Sequence, residues 1–312
     1  MRLGLDIGGT KIEAVVLDDQ GETLYRQRYS TQKQSYDAFF HSVITAIDAA
    51  RAATTYSLSI GLGIPGASAT DGLIKNSNIL VLNQQPFVQQ LEQHFNMPVA
   101  VTNDANCFTL SEAIDGAGKG YGVVFGVILG TGCGGGLCVD NRLITGPNAC
   151  AGEWGHNVLP HYHPAKDGES AQCYCGQTNC IESFISGSGL ERQHAQLFSK
   201  HDKVPQIVTR LNAGEEPVAA LWERYQDQVA RALAGVVNTL DPDAIVIGGG
   251  VSNIPQLYDG LQARIAQYVF GKQCCTPILQ ARHGDSSGVR GAAWLGLARP
   301  GSAPNVKHKD RI

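Results

Sequence analysis

Twice in this chain a short apolar segment runs into a glycine turn and leaves it as a second apolar segment. Leu3–Ile7 and Lys11–Leu17 flank Gly8–Gly9–Thr10, and Val123–Leu129 and Leu137–Asp140 flank GTGCGGG at 130–136. Segments this short are strands, and glycine between them marks hairpins. A repeated opening of this kind predicts a duplicated α/β chain, two lobes with a cleft between them. At 312 residues there is enough chain for two cores. Four glycines within 116–122 put the boundary there. The lobes then cover 1–117 and 118–287, with a helix near 288–298 completing the first and a loose tail over 299–312.

Other elements follow from periodicity. Phe40, Val43, Ile44 and Ile47 recur at helical spacing, predicting a helix over 35–53. Short strands are predicted over 23–29, 58–64 and 98–102, the last running into Asn103–Asp104 and a helix to about Ala113. Leu221, Tyr225, Val229, Leu233, Val236, Val237 and Leu240 form a second helical stripe. Asp241–Pro242 stops it, and Ala244–Ile247 enters Gly248–Gly249–Gly250 as a buried strand.

Composition removes some function classes. Net charge is −4 with scattered basic residues, so nothing favours nucleic acid as a partner. No apolar run has the length of a bilayer span, so no membrane partner is expected and the chain reads as cytoplasmic. Structural disulfides are uncommon in that compartment, and nine cysteines leave at least one unpaired within the chain.

DIGGTK at 6–11 matches neither the nucleotide P-loop spacing nor G-x-G-x-x-G, and a strand follows it. Any phosphate it holds would be met by the amides of the turn. Gly8 and Gly9 allow close approach, Thr10 adds a hydroxyl, Lys11 adds charge, and Asp6 could hold magnesium through water. One such turn is more often an ordinary hairpin; three behind β-like segments point to a nucleotide cradle. Gly130, Thr131, Gly132 and Gly134 would form its second phosphate loop, and Gly248, Gly249 and Gly250 would approach the nucleoside. Asp104, in NDAN at 103–106, stands where either a helix cap or a catalytic acid would stand. GEWGHN at 152–157 precedes Cys173-x-Cys175-x4-Cys180, a spacing too irregular for a zinc finger and open to buried thiols or a metal.

DIGGTK, GIPG (63–66), NDAN, GTGCGGG, GEWGH and CYCGQTNC, in this order, resemble the ROK family of sugar kinases, members of the actin/hexokinase-like ATPase superfamily. The resemblance runs from about residue 3 to 296, and FISG and HGDSSGVRGAAW are most similar to fructokinase/mannokinase-type members. It implies an ATP-dependent hexose kinase acting with Mg2+, on the 6-hydroxyl of fructose or mannose, and a homodimer. N-acetylglucosamine kinase and glucokinase use the same framework and are the alternative, ahead of a non-catalytic sugar sensor. A ROK-type repressor would carry a helix-turn-helix segment ahead of the first glycine turn, and that turn begins at residue 8.

Further roles are implied by the resemblance. Asp104 is the general base; Asn103, Glu153 and Glu182 hold sugar hydroxyls, and Gly66 and Asn78 line the same pocket. His156 meets the sugar with one ring nitrogen and Zn2+ with the other, and Cys173, Cys175 and Cys180 complete the metal set. Four protein ligands leave no open position, so the zinc is structural. Asn179 replaces the family's usual glycine, a residue suited to positive φ if the loop requires it. His161 and His163 are weaker ligand candidates. Trp154 either flanks the sugar or sits in the core, and surface ion pairing is the default for Asp285 and Arg290.

Overall fold

The computed structural model describes residues 1–68 and 72–296. The expected tail and the last two residues of the helix placed near 288–298 lie outside them. The described chain divides into two compact units, Met1–Thr102 joined by the residues from Ala292 to Gly296, and Asn103–Gly291.

The first unit is built on strands β1 (Arg2–Ile7), β2 (Lys11–Leu17), β3 (Thr23–Ser30), β4 (Ser59–Ile64), β5 (Ala67–Ser68), β6 (Ile74–Lys75) and β7 (Val99–Asn103), with helices α1 (Tyr36–Ala52) and α2 (Phe87–Phe95). Its main sheet has the order β3-β2-β1-β4-β7. The β1–β2 hairpin is antiparallel and β4 runs parallel to β1. Ser35 caps α1 by accepting the Ala38 amide, and the helix buries Phe39, Val43, Ala46, Ile47 and Ala50 against Leu3, Leu5, Ile12 and Leu62. Those residues are spaced three or four apart, so one face meets the sheet.

The second unit repeats this order. Strands β8 (Val123–Leu129), β9 (Cys133–Val139), β10 (Arg142–Leu143), β11 (Ala244–Gly248) and β12 (Ile278–Gln280) assemble as β10-β9-β8-β11-β12, again with an antiparallel hairpin and a parallel neighbour. The fold is the duplicated α/β architecture expected. Helix α3 (Asp104–Ile114) packs on β8 and β9, which draws it into this unit; the first unit therefore ends at Thr102, ahead of the glycine cluster at 116–122. Helix α8 (Glu216–Leu240) buries Leu221, Tyr225, Val229, Leu233, Val236 and Val237, while Leu240, the last of the stripe, is partly exposed.

Among the described residues six helices were not read from the sequence: α2, and α4 (Pro164–Asp167), α5 (Glu182–Ile185), α6 (Gly187–Phe198), α7 (Val204–Asn212) and α9 (Leu261–Ala266). The last helix, α10, spans Ser287–Leu295, and the two units divide within it. One expectation needs correction. The run GTGCGGG is a turn only over 130–132; β9 begins at Cys133, four residues before Leu137, and Gly134, Gly135 and Gly136 pair with Ile128, Val127 and Gly126. A Cβ at Gly126 or Gly136 would lie 2.1 or 2.5 Å from Thr109 Oγ1 of α3. These glycines make the strand thin enough for a helix to press on it.

Candidate active site

Asp104 opens α3. The side chain of Asn103 caps the helix by accepting the Asn106 amide at 2.8 Å, which commits that oxygen to the backbone. Asp104 Oδ1 accepts the Ala105 amide at 2.8 Å. The residue is open to solvent, yet the protein around it desolvates the carboxyl and raises its pKa, against the pull of the Ala105 amide. A raised carboxyl within reach of solvent is suited to accepting a proton.

The turn glycines fall into two groups. Gly249 has φ +84° and a Cβ there would meet Leu129 O at 2.5 Å; at Gly248 it would meet Phe108 at 2.3 Å, and at Gly132 the Glu182 carboxylate at 2.6 Å. Gly134 lies within β9, against Ala105, so packing accounts for it without a nucleotide. Gly9 and Gly250 differ. Neither has positive φ, and a Cβ at either would meet nothing within 4 Å. Gly130 is nearly as open, with its closest neighbour at 3.9 Å. Each of the three turns thus holds one glycine that the fold itself does not require. In the first turn, the Gly8 amide donates to Lys11 O and Thr31 Oγ1 donates to Gly8 O, leaving Thr10 and Lys11 exposed. Asp6 faces Glu13 across the hairpin register.

GEWGHN lies flat on β9. A Cβ at Gly152 would be 2.4 Å from Gly135 O and one at Gly155 2.3 Å from Cys133 O, so both glycines permit close approach. Trp154 is a core residue: its indole donates to Gly134 O at 3.1 Å and meets Phe125 edge-on. With Trp154 anchored inward, Glu153 is exposed and His156 half-buried on either side of it.

His156, Cys173, Cys175 and Cys180 converge, their ligand atoms all within 4.8 Å of one another. Cys173 Sγ is 3.6 Å from His156 Nδ1, and Cys175 Sγ is 3.6 Å from Cys180 Sγ. Ligands of tetrahedral zinc with bonds of about 2.3 Å to sulfur and 2.0 Å to nitrogen stand about 3.5–3.8 Å apart. The donor set therefore fits the ion. Burial pushes the Cys180 thiol up to about 12 and Cys173 upward as well, while the Gln177 amide draws Cys175 down. A bound divalent cation would supply the charge that ionises these thiols. His161 lies by Tyr268 and His163 Nδ1 caps α4, so neither joins the cluster.

The loop that carries the cysteines is fastened at several points. Asn179 has φ +61°, and its side-chain oxygen accepts from the Ala171 amide and Ser170 Oγ. The exchange of glycine for asparagine thus preserves the left-handed turn and adds a closure. Buried Arg231 of α8 pairs with buried Asp167 and donates to Pro160 O, and Asp167 accepts the His163 amide. This fixes the middle of the segment between His156 and Cys173. Glu182 Oε2 accepts the Cys133 amide at 2.8 Å, tying the cysteine loop to the glycine turn at 130–132. That link joins residues 49 apart in sequence, and no local pattern announces it.

Gly66 and Asn78 belong to the first unit. Gly66 has φ +95° and would place a Cβ 2.5 Å from Lys75 O, so the chain entering β5 beside the end of β6 requires it; Asn78 is exposed just before the turn of helix at Leu80–Leu82. Arg290 pairs with Asp115, but the two side chains are only 14% and 12% exposed, so this is not the surface pair taken as the default; Asp285 sits in the short helical turn ahead of α10.

Comparison with known proteins places this arrangement. The ROK family profile matches residues 2–299. The chain is 38% identical over 301 residues to an N-acetyl-D-glucosamine kinase of Escherichia coli O139:H28, covering 95% of this chain and 99% of the relative. Among solved structures it is similar to the ROK hexokinase of Thermus thermophilus, with a TM-score of 0.82, 30% identity and coverage of 94% and 97% of the two chains. It is also similar to a ROK family glucokinase from Streptomyces griseus in complex with glucose and AMPPNP, with a TM-score of 0.72, 28% identity and coverage of 94% and 98%.

Proposed function

The chain belongs to the ROK family and is an ATP-dependent sugar kinase; within that class we propose that it phosphorylates the 6-hydroxyl of N-acetyl-D-glucosamine. The observation that supports this acceptor is the 38% identity to an N-acetyl-D-glucosamine kinase across 95% of the chain. It favours the acetamido sugar over the fructose or mannose expected from the motifs. Glucose is the second reading, supported by the Streptomyces griseus glucokinase at 28% identity.

In this reading Asp104 accepts the proton of the sugar hydroxyl as its oxygen attacks the γ-phosphorus, and the bond from that phosphorus to the ADP oxygen breaks. The raised pKa keeps the carboxyl a competent acceptor. The open glycines Gly9, Gly130 and Gly250 leave room for phosphate and nucleoside to approach the turns, although the Gly130 amide already donates to Gly132 O, and Thr10, Lys11 and Thr131 add polar contacts. Asp6 would hold the magnesium that neutralises phosphate charge. His156, with Nδ1 turned to the thiols, presents Nε2 to the sugar, beside Glu153 and Glu182. Zinc, when bound, fixes the orientation of that ring. The homodimer implied by the resemblance belongs to the same proposal, and sedimentation velocity checks it.

The test is magnesium-ATP-dependent ADP release with N-acetylglucosamine, glucose, fructose, mannose and N-acetylmannosamine. The highest kcat/KM is expected for N-acetylglucosamine. A clear preference for fructose would restore the motif-based expectation, and no turnover with any sugar would remove the kinase assignment.

A further inference from the structure

Tyr174 stands between two cysteines of the metal cluster and is 83% exposed. A large aromatic side chain left in solvent calls for a reason, and its contacts supply one. The ring meets His156 edge-on, with centroids 5.2 Å apart and planes at 89°. Its hydroxyl is 3.1 Å from His156 Nε2. The imidazole is therefore engaged on both sides, by Cys173 Sγ at Nδ1 and by Tyr174 Oη at Nε2. Tyr174 and Glu182 also line one cavity of about 470 Å3, together with Thr131 and Gly132 of the glycine turn.

We propose that Tyr174 is a specificity-determining residue that competes with the sugar for His156 Nε2. The inference rests on the kinase reading above, which gives that nitrogen to a sugar hydroxyl. With Nδ1 facing the metal cluster, Nε2 carries the only remaining ring proton, and one N–H makes one well-aligned hydrogen bond. The phenol oxygen accepts it in the free protein, so a sugar oxygen has to take its place. Tyr174 can leave at low cost because its ring is mostly in solvent and its hydroxyl remains hydrated after the exchange. A sugar that returns a full hydrogen bond to Nε2 binds; one that lacks a hydroxyl there, or misplaces it, leaves the phenol bound and is rejected.

The experiment compares zinc-loaded wild type with Tyr174→Phe and Tyr174→Ala. Calorimetric Kd for N-acetylglucosamine without nucleotide is measured first, then KM and kcat, with zinc content as a control. Loss of one competing hydrogen bond should tighten sugar binding about two- to tenfold in both variants. KM should fall in parallel, kcat should stay within about twofold of wild type, and zinc content should not change. Unchanged or weaker binding in Tyr174→Phe, beside a wild type that binds the sugar, overturns the competition alone. A gain in Tyr174→Ala without one in Tyr174→Phe also overturns it, because the ring and not the hydroxyl would then be the obstacle. A wild type that binds no hexose sinks the kinase reading and the competition together.

Discussion

The two glycine-turn hairpins share a topology and differ in what fills the space beside them. In the first unit β2 carries buried side chains of its own: Ile12, Ala14 and Val16 lie in the core that α1 covers, and Val15 and Leu17 are buried as well. In the second, β9 has glycine at 134, 135 and 136, and the volume is taken by Ala105 and Thr109 of α3 and by Trp154. A hairpin that only has to be buried can be apolar throughout. One that must hold a helix end and a loop beside a turn has to be thin. The start of α3 and the GEWGHN loop, with Asp104, Glu153 and His156, are brought to β9 in this way.

Breaking the chemistry on the second hairpin should have the largest effect. Asp104→Asn is expected to lower kcat about 10²–10⁴-fold while MgADP affinity, read by calorimetry, stays near wild type. Substantial turnover by the purified variant would remove Asp104 as the base. Cys175→Ser should take zinc from one per chain to a substoichiometric level by metal analysis, with activity falling alongside. Active wild-type protein without zinc would defeat the structural-metal reading.

The packing contrast is tested by paired glycine substitutions. Gly136→Ala drives a methyl to 2.5 Å from Thr109 Oγ1, which should cost about 1–3 kcal/mol and lower Tm. Gly9→Ala meets nothing within 4 Å, so stability should change by less than about 0.5 kcal/mol while KM for ATP rises. Equal losses of stability would erase the distinction between packed and open glycines.

The smallest effect is in the pH profile. Asp104 must be ionised to accept a proton, and desolvation of the carboxyl by the protein around it raises its pKa above the ordinary value. Activity should therefore fall as pH drops through that raised value, putting the acid limb of kcat/KM above the ordinary aspartate position. A limb at the ordinary value would show that the carboxyl is better solvated than its surroundings imply.

Much of the fold was legible because glycine and proline punctuate its strands, and α1 and α8 repeat at helical spacing over many turns. The start of β9 was not, because glycine reads as turn from sequence alone and its neighbour Thr109 lies more than twenty residues away. Helices α4 and α5 have four residues each, too few to show a period. Within the site, His156, Cys173, Cys175 and Cys180 were legible as one set only through the family resemblance, because their spacing alone left buried thiols open. The anchoring of their loop by Arg231 and Asp167 was not, since it depends on burial of a pair 64 residues apart. Tyr174 gave no signal either: an aromatic between two cysteines acquires meaning only once its hydroxyl is found on His156.

If the proposed sugar site stands, the thinness of β9 also limits where sugar preference can change. Positions 126, 135, 136, 152 and 155 admit no methyl group without collision, so variation there is closed to ordinary substitution. Glu153, Asn157 and Tyr174 are exposed, and exchanging them disturbs little packing. Diversification of this enzyme, by descent or by design, is therefore channelled onto a few side chains above a surface that has none of its own to vary.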